Sequence, residues 1–436
     1  MRLLQVPKVL FLMSAMLSAD VSFAQTFDRV DRDAAQTMLK DVSNDVHKNY
    51  FDPTLRGLDW ASLVKKAQEN IDKARDLEEA ITQIEGLLQM LHDSHTFFLP
   101  PRFGSTVDYG WKFKIIGSQT YITEVRAGSD AEKQGVQIGD ELLAINGFKV
   151  DRESAHLLHS ALELYSPLSS MEVKLRDRGG QLRQLRLLTA VTTQSAVAGF
   201  STWYPHEMRL KAENAWENAR AESVELSPDV LAIRIPAFLQ TGHDVDALFA
   251  KARSHKKLII DVRGCPGGKV ASLHAYLEHI FSRDVNIGKL VERGKETPQT
   301  IKGDAKDAFT GELIVLVDSE TASAGEIFSR VVQLEKRGTV LGDHTSGLTM
   351  ESTRIPHRTG MRTAFFYGAS VTIADTVMSD GKSIERVGVQ PDQVFLPSPA
   401  DLAAHRDHVL SFAASLVGVE LTPDQAAKVF PVRARD

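Results

Sequence analysis

The chain has a single cysteine, Cys265, among 436 residues, so no internal disulfide can form and stability must come from packing. It has no basic block or stripe. The formal charge is −6, and the electrostatic footprint of a nucleic-acid binder is missing. There is no HExxH pattern and no cysteine spacing of the kind that holds zinc. The one glycine-rich loop lacks both the GxGxxG and the P-loop spacing, which sets nucleotide binding aside. Beyond the first 24 residues no apolar run reaches the length of a transmembrane helix. Repeats and long low-complexity linkers are also missing. What remains is 43% hydrophobic residues, enough for about two or three domains with real cores.

Taken in order, Arg2 and Lys8 precede an apolar run from Val9 to Leu17, and Ser22-Phe23-Ala24 puts small residues where a signal peptidase reads. Residues 1–24 are therefore expected to be a cleaved signal peptide, and the mature protein to be soluble and exported. Residues 25–100 read as a helical segment, with Ala80, Ile81, Ile84, Leu87, Leu88 and Leu91 at helical spacing. It ends at Asp93-Ser94-His95-Thr96 and then Pro100-Pro101, which forbid helix. Residues 101–192 turn to short strands: Tyr121–Val125 alternates, Ile138–Ile145 closes on the turn Asn146-Gly147, and Met171–Leu188 alternates around Gly179-Gly180. In residues 193–436 a helical connector, Glu207–Ala221, leads into alternating strands and helices, the pattern of a layered α/β domain. Strands are expected at Val230–Ile235, Lys257–Val262, Leu313–Val317 and Thr339–Gly342, with one terminal helix over Ala400–Ala414.

The stretch from Glu312 to Gly347 organises this last part. Leu313–Val317 is apolar, Ala322, Ser323, Ala324 and Gly325 are small, and Ile327, Val331, Val332 and Leu334 continue as a helix. Ser323 thus stands at a helix start where an oxyanion could meet free backbone N–H groups. It is also spaced with Glu326 as a capping box, in which the serine only caps its own helix. Asp261–Gly268 follows another apolar strand and ends on two glycines. An N–H from Gly267 or Gly268, with that of Ala324, would make a two-donor oxyanion hole, or the loop is an ordinary strand-to-helix turn.

A serine nucleophile needs a base. Lys336 lies about 13 × 1.5 Å, roughly 20 Å, along the helix, too far to serve. Histidine titrates near neutrality without tuning. Of the 14 histidines, His156 with His159 and His405 with His408 share helix faces without metal-site spacing. His95 instead lies in a short polar loop, where functional residues concentrate. Cys265 is a lesser candidate nucleophile, with no histidine evident beside it.

The run from Ala127 to Gly147 resembles the centre of a PDZ domain, which implies that Gly110-Trp111-Lys112-Phe113 forms a carboxylate-binding loop and His156–Leu164 a groove helix. Asp261–Gly268, Thr321–Ile327 and Gly381–Asp392, arranged after that domain, resemble the C-terminal-processing (tail-specific) serine proteases and their tricorn relatives. The resemblance implies a multi-domain α/β protein with a crotonase-like ββα protease core. In the processing branch of the family a lysine stands 25 positions after the serine; here that position, after the turn Gly342–Gly347, is Leu348. In the tricorn-type branch the base is a histidine preceded by a serine, with a glutamate near the C-terminal end, which implies Ser323 as nucleophile, His95 as base, and Ser94 and Glu385 as supports. His344, in the turn before Leu348, is the rival base. Cys265 stands where the family usually has asparagine, and Arg386 where glycine is common. The implied activity is an exported serine peptidase acting on peptide or protein substrates, with no metal or cofactor. The alternatives are a silent ligand-binding member of the fold, and a peptide sensor built on the PDZ module alone.

Overall fold

Three aspartates start the three N-terminal helices. Asp28, Asp59 and Asp76 accept backbone N–H groups at the heads of Arg29–Asn49, Trp60–Lys73 and Leu77–Gln89. On the first helix Ala35, Met38, Leu39, Val42 and Val46 form one buried stripe, and they share a core with Ile81, Ile84 and Leu88. The computed structural model describes residues 27–101, 105–152, 154, 169–193, 220–359 and 365–430. The expected signal peptide, the PDZ groove helix and nearly all of the connector from Glu207 lie outside the described residues. The chain divides into two compact units, the first comprising residues 1–196, 291–295 and 350–375 and the second the remainder. No helix among the described residues is long and apolar enough to cross a membrane.

In the first unit the helical core is completed by Phe98, Tyr367, Ala369 and Val371. The short strand Phe97–Leu99 ends just before the proline pair and pairs antiparallel with Gly368–Ser370 of strand Phe365–Met378. This fixes the loop carrying His95 between a helix and a sheet. The PDZ region of the same unit is a sheet ordered Trp111–Ile116, Gln119–Val125, Glu141–Ile145, Ser170–Arg176, Leu182–Leu188. Asn146 and Gly147 both take positive φ, 46° and 81°, as a two-residue hairpin turn requires.

The second unit is built on a sheet ordered Glu222–Ser227, Val230–Arg234, Lys257–Asp261, Glu312–Val317, Thr339–Gly342, Gln393–Val394. Only its first pair is antiparallel. Side chains alternate between two cores: Leu258, Ile260, Leu313, Val315 and Val317 pack on one face, and Ile259, Ile314 and Leu316 on the other. Helices Gly242–Ala252, Val270–Glu278 and Ala324–Leu334 cover the first face, and His408–Leu416 the second. In such sheets a site is expected beyond the carboxyl ends of the parallel strands, which is where Asp261–Gly268 and Ser323 lie.

Two expectations need correction and a third gains detail. Two strands, Val285–Glu292 and Lys295–Ile301, turn about Gly294 (φ 71°) where no strand was expected. The single terminal helix is two, Pro399–Ala403 and His408–Leu416, because His405 takes φ 52° and Asp407 caps a fresh helix by accepting from Leu410 N–H at 2.9 Å. In the expected carboxylate loop only Gly110 (φ 76°) is a bend. Trp111, Lys112 and Phe113 already belong to a strand, with Trp111 and Phe113 buried in the PDZ core.

Candidate active site

The backbone at Ser323 is unusual for its residue type. Its φ of 51° and ψ of −118° fall where side chains other than glycine are strained. The sharp reversal between strand Glu312–Val317 and helix Ala324–Leu334 is pinned throughout. Thr321 Oγ1 donates to Val262 O at 2.9 Å, Ala322 N–H donates to Cys265 O at 2.8 Å, and Ser323 N–H donates to Leu348 O at 2.9 Å. The expected capping box is present: Glu326 accepts from Ser323 N–H at 3.1 Å, and the Ser323 side chain faces the Glu326 N–H, which bonds to the Ser323 carbonyl oxygen at 2.9 Å.

Glu326 does more than close half of a cap. It is fully buried and accepts from Thr345 Oγ1 at 2.5 Å, Gly347 N–H at 2.7 Å and Leu348 N–H at 2.9 Å, so one carboxylate fastens the turn Gly342–Leu348 to the helix start. Burial pushes its carboxyl up to about 7, against the pull of those donors. Leu348 occupies the position of the processing-branch lysine, and its backbone touches Ser323, but the side chain carries no amine.

The loop Asp261–Gly268 lies against Ser323. A Cβ built on Gly267 would stand 2.5 Å from Ser323 Cβ and 2.9 Å from its Oγ, and one on Gly268 would stand 2.2 Å from Phe238 O, so both positions accept only hydrogen. The Gly267 carbonyl takes the Phe238 N–H at 2.8 Å. In a trans peptide this turns the Gly268 N–H the opposite way, off Phe238. Ala324 is the first residue of the helix, where an N–H has no intrahelical acceptor. Cys265 is buried beneath the loop, and burial pushes its thiol up to about 12; it stays protonated and is no nucleophile at neutral pH.

Glu385 accepts from Thr349 N–H at 2.9 Å, one residue beyond Leu348, so it sits on the segment that holds Ser323. Next to it Arg386 takes φ 58°, the left-handed region in which glycine is the easy residue, and donates its N–H to Gly347 O at 2.7 Å. The rival base His344 has Nδ1 against the Thr345 carbonyl at 3.0 Å, which makes that nitrogen the donor. Ser323, Ala324, Gly267, Gly268, Glu385 and His344 all belong to the second unit, whereas Ser94 and His95 belong to the first.

In the first unit the His95 loop is held by Asp93, whose Oδ1 accepts from His95 N–H at 3.0 Å, Thr96 N–H at 2.7 Å and Thr372 Oγ1 at 2.8 Å. Sequence reasoning missed that role, although an aspartate two residues before a loop histidine is a common turn-forming pattern. Ser94 Oγ lies 2.6 Å from His95 Nδ1. Burial holds the His95 imidazole below its usual range, while the Asp93 charge pulls it up. In the PDZ region Gly110 N–H donates to Asp108 Oδ1 at 2.7 Å and Lys112 pairs with Glu124 at 2.6 Å. Trp111–Ile116 is the outer strand of its sheet among the described residues, the kind of edge to which a peptide strand can add.

Residues 229–395 match the model of Peptidase family S41, and residues 100–175 that of the PDZ domain. The chain is 25% identical over 388 residues to the carboxyl-terminal-processing protease of Synechocystis sp., covering 82% of each chain. It is 24% identical over 349 residues to the carboxy-terminal processing protease CtpB of Bacillus subtilis, covering 74% of this chain and 63% of that one. Among solved structures, mature CPAF complexed with lactacystin aligns with a TM-score of 0.64 at 15% identity, over 86% of this chain and 96% of that one. The photosystem II D1 C-terminal processing protease aligns with a TM-score of 0.51 at 19% identity, over 91% and 100%. At those identities the two structures speak for the fold alone.

Proposed function

We propose, on the premise that this chain is a serine peptidase carrying an S41 domain behind a PDZ domain, that it is an exported tail-specific endopeptidase working through Ser323 and His95. Ser323 Oγ attacks the scissile carbonyl carbon while His95 Nε2 takes its proton. For Nε2 to be the acceptor, Nδ1 must carry hydrogen, and the Ser94 oxygen at 2.6 Å is placed to receive it. Glu385 is the carboxylate proposed to polarise Ser94 in turn. The Gly268 N–H, or that of Gly267, acts with the Ala324 N–H on the tetrahedral oxyanion, and collapse expels the amine, which recovers its proton from His95. Water then repeats the steps in reverse to free the acyl group. The PDZ domain would select the substrate's C-terminus at the strand that begins after Gly110.

One observation carries this reading: a serine held in strained backbone at a helix start faces a glycine whose missing Cβ leaves room beside its hydroxyl. The choice of histidine over lysine rests on Leu348 at the lysine position and on the Ser94–His95 pair. Fluorescein-labelled casein, digested and mapped by mass spectrometry, tests it. Wild type should cut, and Ser323→Ala and His95→Ala should not. Cutting by His95→Ala with loss in His344→Ala would hand the base role to His344.

A further inference from the structure

We propose that Asp407, in the C-terminal segment beyond the peptidase-domain match, is a positioning residue that holds the oxyanion loop through Arg263. This rests on the peptidase reading of that loop. Arg263 is two residues past the end of strand Lys257–Asp261 and four before Gly267. Its guanidinium carries two complete forks: Nε and Nη2 donate to Asp261 at 2.9 and 2.7 Å, and Nη1 and Nη2 donate to Asp407 at 2.9 and 2.7 Å. Paired planar forks fix direction as well as charge, so the guanidinium cannot turn without breaking a fork.

Among the described residues, other braces on the loop come from inside the domain. Gly264 N–H donates to Asp318 Oδ1 at 2.9 Å, Cys265 O accepts from Ala322, and the tip is bound to Phe238. Asp407 alone among these partners lies outside residues 229–395. It also caps helix His408–Leu416, whose Val409, Leu410 and Ala413 pack on the back of the sheet, so the carboxylate stands on a fixed support. Arg234, on the neighbouring strand, adds a second positive charge facing Asp407 and ties itself to Phe430 O at 3.3 Å. Both partners are only partly exposed, and a largely buried ion pair adds little net stability against apolar replacements, whereas fixing one arrangement is its best-attested use. Donors aimed at an oxyanion need that fixity, since their effect depends on placement within a fraction of an ångström.

The full chain with Asp407→Asn or Asp407→Ser tests this; both keep an acceptor for the Leu410 N–H, and both leave Arg263 with Asp261. Lys257→Met is the control, because Lys257 Nζ ties the same C-terminal segment to the sheet through Val417 O at 3.1 Å without touching the loop. Three readouts are taken: turnover of fluorescein-labelled casein, the rate of fluorophosphonate labelling at Ser323, and amide exchange over residues 264–269. The Asp407 variants should lose about tenfold or more in kcat and labelling rate, with KM within about twofold, and should exchange faster over that loop. Lys257→Met should do neither, even at an equal loss of thermal stability. Unchanged exchange in both Asp407 variants overturns the proposal, as does a rate loss that merely tracks the thermal midpoint across all three. If wild type fails to label while the Asp407 variants still loosen the loop, the peptidase reading falls and the brace stands.

Discussion

Replacing Gly267 by alanine puts one methyl group into the space beside Ser323. That carbon would meet Ser323 Cβ at 2.5 Å, Ser323 Oγ at 2.9 Å and Ala322 O at 3.2 Å, where carbon contacts normally stand about 3.5–4 Å apart. Relief requires the serine or the loop to shift by about an ångström, a misplacement of the size that costs about 100-fold in rate. Displacing an oxyanion donor independently costs about 100- to 1000-fold. The backbone adds strain of about 1–2 kcal/mol, since Gly267 has φ 103°. Gly264→Ala is the matched control. It bears a similar backbone penalty at φ 68°, but its nearest neighbour is Glu320 Oε2 at an ordinary 3.8 Å. Gly264→Ala should lose thermal stability through its backbone alone and Gly267→Ala through backbone and overlap together, and only Gly267→Ala should lose about two orders of magnitude in kcat/KM on fluorescein-labelled casein. Equal activity in the two variants would refute the proposed role of the loop beside Ser323.

Other outcomes follow from the same geometry. Ser323→Gly should end cleavage yet gain about 1 kcal/mol in chemical denaturation, because glycine relieves the strained backbone at that position; a loss of stability would count against the strain. Glu326 keeps its proton in the folded state up to about 7, above its ordinary 4.5. Its contribution is therefore complete below about 4.5 and is lost as pH rises through about 7, a change of at most about 3 kcal/mol. Denaturation midpoints at pH 5 and pH 8 should differ less in Glu326→Gln than in wild type; an identical difference would show that another group governs the slope. The acid limb of kcat/KM should have its midpoint below 6.5, since burial lowers the His95 pKa, and Asp93→Asn should move it lower still by removing the charge that raises it. A limb above neutrality would point to a different base.

The parts of this chain read best from sequence are those where local pattern and tertiary use agree. The Leu313–Val317 strand, the helix after Ser323 and the Asn146-Gly147 turn are set by period and turn chemistry, and they stand where expected. The spacing of Ser323 and Glu326 is that of a capping box, and the box is present. What the spacing does not reveal is that the same carboxylate spends its other contacts on Thr345, Gly347 and Leu348, about twenty positions downstream. The Val285–Ile301 strands went unread because polar residues such as Asn286, Lys289 and Glu292 interrupt their apolar positions. Asp407 falls inside the helix expected over Ala400–Ala414; its pairing with Arg263 spans 144 positions, and no local pattern announces a contact of that range. Arg386 shows the converse: its φ of 58° is one that glycine takes without strain, so the arginine there is held in a conformation that no local pattern announces.

Labelling of the full chain by a fluorophosphonate, followed by intact-mass and peptide mapping, tests the central assignment most directly. The account predicts one adduct, on Ser323, formed by wild type, absent from Ser323→Ala and lost in His95→Ala while that variant keeps its thermal midpoint. An adduct elsewhere, or undiminished labelling of Ser323 in folded His95→Ala, contradicts it.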